Sequence, residues 1–311
     1  MPRTIGRAAI LARMPIDVAI AIPAFLDLTF VGLEALPGPG EERFAGDLVR
    51  SPGGGAIHAV ASTRLGLSAA LATPLGGDDA AEFLCEALRT EGVTLVERWA
   101  GRTATTVVMP VGNDRAMVTL DPGVRASAAV VAALEPRTVA ANVDMLHAVP
   151  DGVAAYVTCG DDDARAFARQ PLRQLEGVHV LFVSEREALT LSGKADLAAA
   201  ADCLVELAGS VVVTLGAAGA MGIIDGERVA APGIEVRDVV DTTGAGDLLV
   251  AAYIWAELRG TTPEERLRWA VLYSALSVTT PTAVGGAVDE ARLLDEGERL
   301  GLSLPAGDPS R

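Results

Sequence analysis

The chain has 311 residues, enough for one large α/β domain or two small ones with a sizeable buried core. Half of the residues are apolar but only 4% are aromatic, which favours a core of Ala, Val, Leu and Ile, as in parallel strands covered by helices on both faces. The formal charge of −16 and the lack of any basic run argue against nucleic acid or an anionic membrane as a partner.

The cysteines and the N-terminus bear on the compartment. Cys85, Cys159 and Cys203 are widely spaced and odd in number, which is typical of thiols in a reducing cytoplasm rather than of a disulfide framework or a zinc site. Arg3 and Arg7 precede an apolar stretch, as in a signal peptide, but charged residues and a proline interrupt it, and no apolar run reaches the ~18 residues of a membrane span. The sequence therefore predicts a soluble, cytoplasmic protein.

The first part of the chain predicts one strand and then an irregular β region. Residues 17–22 form a buried-strand pattern that ends at Pro23. Asp27 follows within a few residues, near the strand end where open α/β sheets bind ligands. Residues 28–51 lack helical periodicity and contain Pro-Gly-Pro-Gly, which predicts turns and short strands.

The next segments alternate between helix and strand. After three glycines the pattern predicts a helix, a strand, a second helix and two β-type runs at 56–66, 67–72, 78–90, 103–110 and 115–120. Gly112-Asn113 between the last two runs predicts a hairpin.

The middle of the chain leaves one ambiguity. Residues 143–148 and 154–158 predict consecutive strands, but about five residues separate them, whereas a parallel crossover needs a dozen or more. Either the strands pair differently or an element is missing. The alternation then resumes, with helices at 161–175, 185–192, 195–208, 247–259 and 264–279, strands at 178–183 and 210–214, and a β region at 219–240. The whole pattern predicts one α/β unit with a small β excursion.

The segment from Asp241 to Asp247 carries the strongest chemical signal. Asp241 or Thr242 could cap the following helix, and the N–H groups of Gly244, Ala245 and Gly246 would then lie at its positive N-terminal end, a site for a phosphate or a developing oxyanion. An acid at this position, Asp247, makes sense as a general base that takes a proton from an attacking hydroxyl. The alternative is a glycine-rich strand-to-helix turn with a capping aspartate.

Residues 241–247 match in full the signature D-T-x-G-A-G-D and resemble that of the ribokinase-like (PfkB-type) carbohydrate kinase family. Residues 52–66, which end in Arg-Leu-Gly, are similar to that family's N-terminal signature. The resemblance implies a ribokinase-like α/β fold in which helices flank a central, mostly parallel sheet in three layers. It also implies a single domain over 1–311, with a small β-sheet lid formed by about 28–51 and 103–120.

The resemblance also implies how an acceptor is held. The candidate substrate-binding residues are Asp27, Gly53, Gly54, His58 and Arg115. Asp27 would accept hydrogen bonds from two substrate hydroxyls, or it could simply cap a turn. The position that is often Asn in the family is Ile57 here, and His58 beside it could donate instead or be a surface residue. Arg115 could reach a substrate acid or phosphate from the lid, or be an exposed strand residue.

A second set of residues is implied for the nucleotide and for metal ions. The candidate nucleotide-binding residues are Thr214, Gly216, Gly219, Thr243, Ala275 and Val278. Glu187 would help to order Mg²⁺ through water, with Ser184 in place of the family's Asn; a plain acidic helix start is the alternative. Asp241 could also help to hold a monovalent cation, with K⁺ as the candidate.

Together these features predict an ATP-dependent kinase that phosphorylates a hydroxymethyl group of a small sugar or sugar-like polyol. A nucleoside kinase of the same fold is the alternative among enzymes, and a non-catalytic sugar or nucleotide sensor is the alternative from another class. The resemblance also implies a homodimer formed through the lid. No Walker A sequence is present, and no G-x-G-x-x-G follows the first strand, which argues against a Rossmann-type dehydrogenase.

Overall fold

The structure, a computed structural model, describes residues 15–96, 98–111, 114–169 and 172–305. The arginine-containing N-terminal stretch with Arg3 and Arg7, and the turn predicted at Gly112-Asn113, lie outside the described residues. Within the described ranges, none of the helices is both long enough and apolar enough to span a membrane.

Strands and helices alternate along most of the chain. The strands are β1 (Val18–Ile20), β2 (Ala24–Val31), β3 (Asp47–Gly54), β4 (Ala69–Leu71), β5 (Thr94–Leu95), β6 (Thr105–Val111), β7 (Asp114–Leu120), β8 (Thr138–Asn142), β9 (Ala154–Thr158), β10 (Val180–Ser184), β11 (Ser210–Thr214), β12 (Gly219–Ile224) and β13 (Glu227–Pro232). The α-helices are α1 (Gly55–Arg64), α2 (Asp79–Thr90), α3 (Ala128–Ala133), α4 (Asp161–Phe167), α5 (Glu185–Ser192), α6 (Leu197–Val205), α7 (Ala245–Leu258), α8 (Pro263–Ser277), α9 (Ala283–Gly286) and α10 (Glu290–Arg299). Short 3₁₀ helices span Val143–Ala148, Leu172–Leu175 and Gly216–Ala218.

Nine of the described strands form the central sheet, in the order β13-β12-β11-β10-β9-β8-β1-β4-β5. Every neighbouring pair from β11 to β5 is parallel, whereas β12 and β13 run antiparallel to their neighbours. Parallel pairing brings the carboxyl ends of seven strands to one edge, which is where open α/β sheets bind ligands.

Helices cover both faces of this sheet, as alternate side chains of one strand show. On β10, Phe182 packs with the cluster that contains α1, α7 and α8, and its ring lies 5.1 Å from that of Tyr253. Leu181 and Val183 belong to the opposite cluster with α4, α5 and α6. Helix α7 is apolar all round and is buried from Leu248 to Ala256, as expected for a helix enclosed by protein. The predicted three-layer α/β fold is confirmed.

Four further strands form a separate small sheet in the order β3-β2-β6-β7. The outer pairs are antiparallel and the central pair, β2 with β6, is parallel. Strands β2 and β3 have eight residues each and extend beyond the predicted 28–51 at both ends. We call this unit the small sheet.

The strand predicted at 143–148 is wrong. These residues form a 3₁₀ helix, and the strand is the preceding segment β8, which pairs in parallel with β9. The error has a physical cause: a short apolar run does not distinguish a buried strand from a helical turn, and β8 is rich in alanine, which has a weak β preference. The 3₁₀ helix supplies the crossover that seemed to be missing between two parallel strands.

Two other boundaries differ from the prediction. The helix expected at 161–175 ends at Phe167 and is followed by the 3₁₀ turn Leu172–Leu175. The β region expected at 219–240 stops at Pro232, after which the chain to 240 is irregular. That irregular segment lines the cavity described below.

Candidate active site

The N-terminus of α7 is formed by a glycine, not by a capping side chain. Gly244 is the N-cap, with φ 72° and ψ 5°, and no side chain accepts a hydrogen bond from the first turn. A Cβ on Gly244 would overlap Ala283 Cβ and lie 3.0 Å from Ile57 Cδ1. The cap predicted at Asp241 or Thr242 is therefore wrong, because a left-handed, crowded position requires glycine there. The Ala245 N–H donates a hydrogen bond to Thr242 O at 3.3 Å, whereas the N–H groups of Gly244 and Gly246 have no partner among the described residues and are left for an anion.

Asp241 braces the turn from the side. Its Oδ1 accepts a hydrogen bond from the Thr243 N–H at 2.8 Å, and its Oδ2 accepts one from the Thr282 N–H at 3.0 Å. Thr282 has a positive φ of 63°, and its Oγ1 accepts from the Gly285 N–H at 3.1 Å. The carboxylate thus ties the 241–247 turn to the start of α9, and the Thr243 amide is already occupied.

Asp247 is the third residue of α7, and its side chain is 32% exposed. Its Oδ1 lies 3.0 Å from Nε2 of His58, which belongs to α1 and is only 1% exposed. The first turns of α1 and α7 therefore converge, and Ile57 packs beside the Gly244 cap. Two helix N-termini in one place make the surroundings favourable for negative charge. The alternative of a surface His58 is wrong.

Asp27 lies on β2 and is only 8% exposed. Burial raises the pKa of this carboxyl from its ordinary 3.8 to about 7, and the negative charges of Asp247 and Asp241 add to the rise, while the Arg115 guanidinium opposes it. The same charges show that Asp27 faces the 241–247 turn. The site therefore holds a carboxyl that can exchange a proton near neutral pH.

Gly53 and Gly54 serve different purposes beside this carboxyl. A Cβ on Gly53 would overlap the Asp27 carboxylate, so Gly53 provides the space in which that group sits. Gly54 has a φ of 56°, and a Cβ there would lie 2.5 Å from Pro23 O. The backbone turn that leads into α1 therefore requires glycine at this position. Both predicted glycines lie next to Asp27.

A row of polar side chains crosses the small sheet at the level of Asp27. Asp27 is directly opposite Ser51 on β3 and Thr106 on β6, and Thr106 is opposite Thr119 on β7. Directly opposed residues share a face of the sheet, so all four face the site. The hydroxyls of Thr106 and Thr119 form a hydrogen bond with 3.1 Å between their oxygens, and Ser51 and Thr106 are each 7% exposed. We call these four residues the polar row.

Arg115 connects the small sheet to the α7 turn. It extends from β7, and its Nη1 donates a hydrogen bond to Thr242 Oγ1 at 3.4 Å. Its charge also lowers the pKa of Asp27, so the guanidinium lies near both the acid of the polar row and the turn.

A cavity of about 640 Å³ adjoins the other side of the turn. This volume is within the range of small-molecule sites. Its walls include Ala245 and Gly246 of the first turn of α7, and five of the six predicted nucleotide residues: Thr214, Gly216, Gly219, Ala275 and Val278. Thr243, the sixth, is not among the lining residues. The irregular segment 233–239 supplies a further wall that the sequence did not suggest, through Gly233, Ile234, Glu235, Val236 and Val239.

The family assignment follows from comparison with known proteins. The model of the pfkB family carbohydrate kinases matches residues 29–289. The chain belongs to the pfkB family of carbohydrate kinases. It is 32% identical over 226 residues to fructoselysine 6-kinase of Shigella flexneri, a match that covers 68% of this chain and 83% of that enzyme.

Two further comparisons set the limits of that likeness. This pfkB-family chain is 39% identical over 88 residues to acarbose 7(IV)-phosphotransferase of Actinoplanes sp., which is 27% of this chain and 29% of that protein. Ribokinase of Arabidopsis thaliana, solved with ribose and ATP, superposes with a TM-score of 0.75 and 24% identity over 91% of this chain and 98% of that one. The superposition supports the fold, and the family makes the chain a phosphotransferase that acts on an alcohol group.

The remaining predicted residue of this pfkB-family kinase, Glu187, lies at the start of α5. Its Oε2 accepts a hydrogen bond from the Ser184 N–H at 2.7 Å, and Ser184 Oγ accepts from the Glu187 N–H at 3.3 Å. This reciprocal pair is a capping box, so Glu187 has a structural role whatever else it does. In the described ranges no three His, Cys, Asp or Glu side chains are grouped as a metal site. One carboxylate with a free oxygen still fits Mg²⁺, which keeps most of its waters.

Proposed function

We propose that this chain is an ATP-dependent kinase that transfers the γ-phosphate to a hydroxymethyl group of a small sugar or sugar-like polyol. The observation that carries the proposal is the position of Asp247. It stands at the N-terminus of α7, next to the N–H groups of Gly244 and Gly246, which have no partner among the described residues, and in electrostatic contact with Asp27. In this proposal Asp247 takes the proton of the attacking hydroxyl, which matches general base catalysis of phosphoryl transfer.

The acceptor would bind against the polar row. Asp27 and the hydroxyls of Ser51, Thr106 and Thr119 present acceptors and donors side by side, a pattern suited to several hydroxyls of one polyol. The polyol hydroxyls would donate to the ionised Asp27 carboxylate, and Arg115 would add a donor from β7. Such bonds give strong discrimination, since an acceptor that lacks a hydroxyl leaves a buried polar group without a partner.

The donor nucleotide would occupy the 640 Å³ cavity, with its phosphates at the start of α7. The N–H groups of Gly244, Ala245 and Gly246 would stabilise charge on the transferring group. Glu187 would hold Mg²⁺ through water, and the ion supplies neutralisation of the donor phosphates. The Asp241 carboxylate keeps lone pairs for a monovalent cation, for which K⁺ is our candidate. A cytoplasmic location remains part of the proposal, supported by three cysteines that form no disulfide.

The small sheet would also bind a second copy of this chain. On the face opposite the polar row it exposes three large apolar side chains: Leu48 (46%), Val118 (63%) and Leu120 (47%). Exposed apolar patches of this kind mark interaction surfaces. Because β7 is an edge strand, a partner could also pair with its backbone.

The decisive experiment measures ADP release with ATP, Mg²⁺ and K⁺ across ketoses, aldoses, sugar acids and nucleosides. We expect one sugar class to give turnover and Asp247→Asn to reduce kcat by on the order of 10²-fold or more. Asp202→Asn, an exposed aspartate on α6, is the matched control and should behave as the wild type. Undiminished turnover in Asp247→Asn would refute the proposed base, and turnover with nucleosides alone would identify a nucleoside kinase. Ligand-induced thermal stabilisation without any turnover would indicate a sensor.

A further inference from the structure

A buried histidine contacts the proposed base directly. His58 lies in the first turns of α1 and is 1% exposed, so its ring is enclosed by protein. Its Nε2 lies 3.0 Å from Asp247 Oδ1, whereas its Nδ1 is buried and has no hydrogen-bond partner among the described residues. Burying a polar ring costs free energy unless hydrogen bonds compensate, and here the contact with Asp247 is the compensating bond.

The contact fixes the direction of the hydrogen bond. A carboxylate oxygen only accepts, so the His58 Nε2 must carry the proton and donate. If Nδ1 were protonated as well, a charged ring would hold a buried N–H without an acceptor, which costs more than a bare ring nitrogen. The arrangement therefore favours a proton on Nε2 and a bare ring nitrogen at Nδ1.

The hydrogen bond also orients the carboxylate. Asp247 Oδ1 is held by His58, while Oδ2 has no partner among the described residues and is the oxygen left for an incoming hydroxyl. Without the bond, a carboxylate that is 32% exposed could rotate about its terminal torsion and turn either oxygen toward water. A base must stand within hydrogen-bond reach of the proton it abstracts, so this rotation would lower the fraction of productive complexes.

The neighbouring residue explains why the contact is possible. Ile57 packs against the Gly244 cap, and an alanine Cβ at position 244 would lie 3.0 Å from Ile57 Cδ1. Adjacent residues of α1 thus hold the two ends of one catalytic turn: Ile57 supports the cap and His58 supports the base. Ile57 fills the space beside the Gly244 cap, and the polar contact is made by the next residue, His58.

We propose that His58 is a positioning residue that holds Asp247 with one oxygen free for the acceptor hydroxyl. The proposal rests on the proposed role of Asp247 as the base. It replaces the expectation that His58 contacts the substrate, because the ring is buried and its donor is already used. His58 acts through Asp247 on the chemical step and leaves acceptor binding to the polar row.

Three substitutions test this role in kinetics. His58→Gln can place an amide nitrogen where Nε2 stands, His58→Asn ends one bond short of it, and His58→Leu fills the space without a donor. We expect Gln to keep kcat within about tenfold of the wild type, and Asn and Leu to lose on the order of 10²-fold in kcat, with acceptor KM changed less than about threefold. Nucleotide-induced thermal stabilisation, measured beside the kinetics, shows that each variant folds with an intact donor site.

Two kinetic results would overturn the proposal. A loss that falls on acceptor KM rather than on kcat would make His58 a substrate contact. Equal activity of the Asn and Gln variants would show that the ring nitrogen at the Nε2 position is not needed.

A second measurement does not depend on turnover. The chain has three histidines, so single His→Gln variants assign every imidazole ¹⁵N resonance. We expect His58 to show a protonated Nε2 and an unprotonated Nδ1, and Asp247→Asn to change that pattern. A proton on Nδ1, or no response to Asp247→Asn, would overturn the proposed contact. Full turnover of Asp247→Asn together with the expected ¹⁵N pattern would refute both Asp247 as the base and His58 as its positioning residue. The contact between His58 and Asp247 would still be supported.

Discussion

Asp27→Asn should make the protein more stable while it damages acceptor binding. The folded chain raises the pKa of Asp27 to about 7 from its ordinary 3.8, so between these values the folded state binds a proton that the unfolded state does not. Stability must therefore fall as the pH rises through this window. With ~1.4 kcal/mol for each tenfold change in proton affinity, ionising this buried carboxyl at pH 8 costs about 4 kcal/mol. The isosteric amide avoids that cost.

Thermal unfolding at two pH values gives the assay. At pH 8 we expect Asp27→Asn to raise Tm by ~5–10 °C, since ~1 kcal/mol corresponds to ~2 °C in a chain of this size. At pH 5 the folded carboxyl is neutral, and the free energy of unfolding gained by Asp27→Asn should shrink to less than about 2 kcal/mol. In parallel, acceptor KM should rise at least ~10-fold because an amide cannot replace the charge. An unchanged Tm at pH 8, or an equal gain at both pH values, would refute the burial and charge reasoning for Asp27.

Three further predictions concern other parts of the molecule. Gly53→Ala should force the Asp27 carboxylate out of place and raise acceptor KM at least ~10-fold with nucleotide affinity unchanged, and an unchanged KM would contradict the steric argument. The hydrogen bond to Glu257 raises the pKa of His179, so this pair stabilises the fold below pH ~6.5 and loses that effect as the pH rises. The loss of Tm in His179→Gln should therefore be larger at pH 6 than at pH 9. An equal loss at both pH values would contradict the stabilising role of the pair. Val118→Lys should shift the protein toward monomer in sedimentation if the small sheet binds a second copy, and an unchanged mass would exclude this surface.

Local motifs made the proposed donor side of the site predictable from sequence. The 241–247 turn combines its glycines and acids within seven residues, so the helix that begins there could be predicted without any tertiary information, and anion binding at its N-terminus stays a prediction. The strand followed by a glycine turn at Thr214 and Gly216 was predictable in the same way, and both residues line the cavity. The identity of the cap was not, because the need for glycine at position 244 arises from Ala283, which is distant in the chain.

The proposed acceptor side depends on strand pairings that one sequence does not reveal. The polar row requires the register of four strands, and Ser51, Thr106 and Thr119 look like ordinary strand residues until that register is known. The contact between His58 and Asp247 joins residues 189 positions apart. The strand prediction at 143–148 failed for another reason. Six mixed apolar and polar residues show too little periodicity to distinguish a helix from a strand.

The contact between Arg115 and Thr242 has a consequence for how fast the acceptor can enter. In this conformation the small sheet touches the α7 turn, and Asp27, Ser51 and Thr106 are almost completely covered. In the proposed mode of acceptor binding, a polyol reaches them only after the small sheet has moved away from the turn. The apparent rate of acceptor association should therefore level off at high concentration, at the rate of that opening. Arg115→Ala would remove the contact and raise the plateau, so that the entry step would no longer limit association.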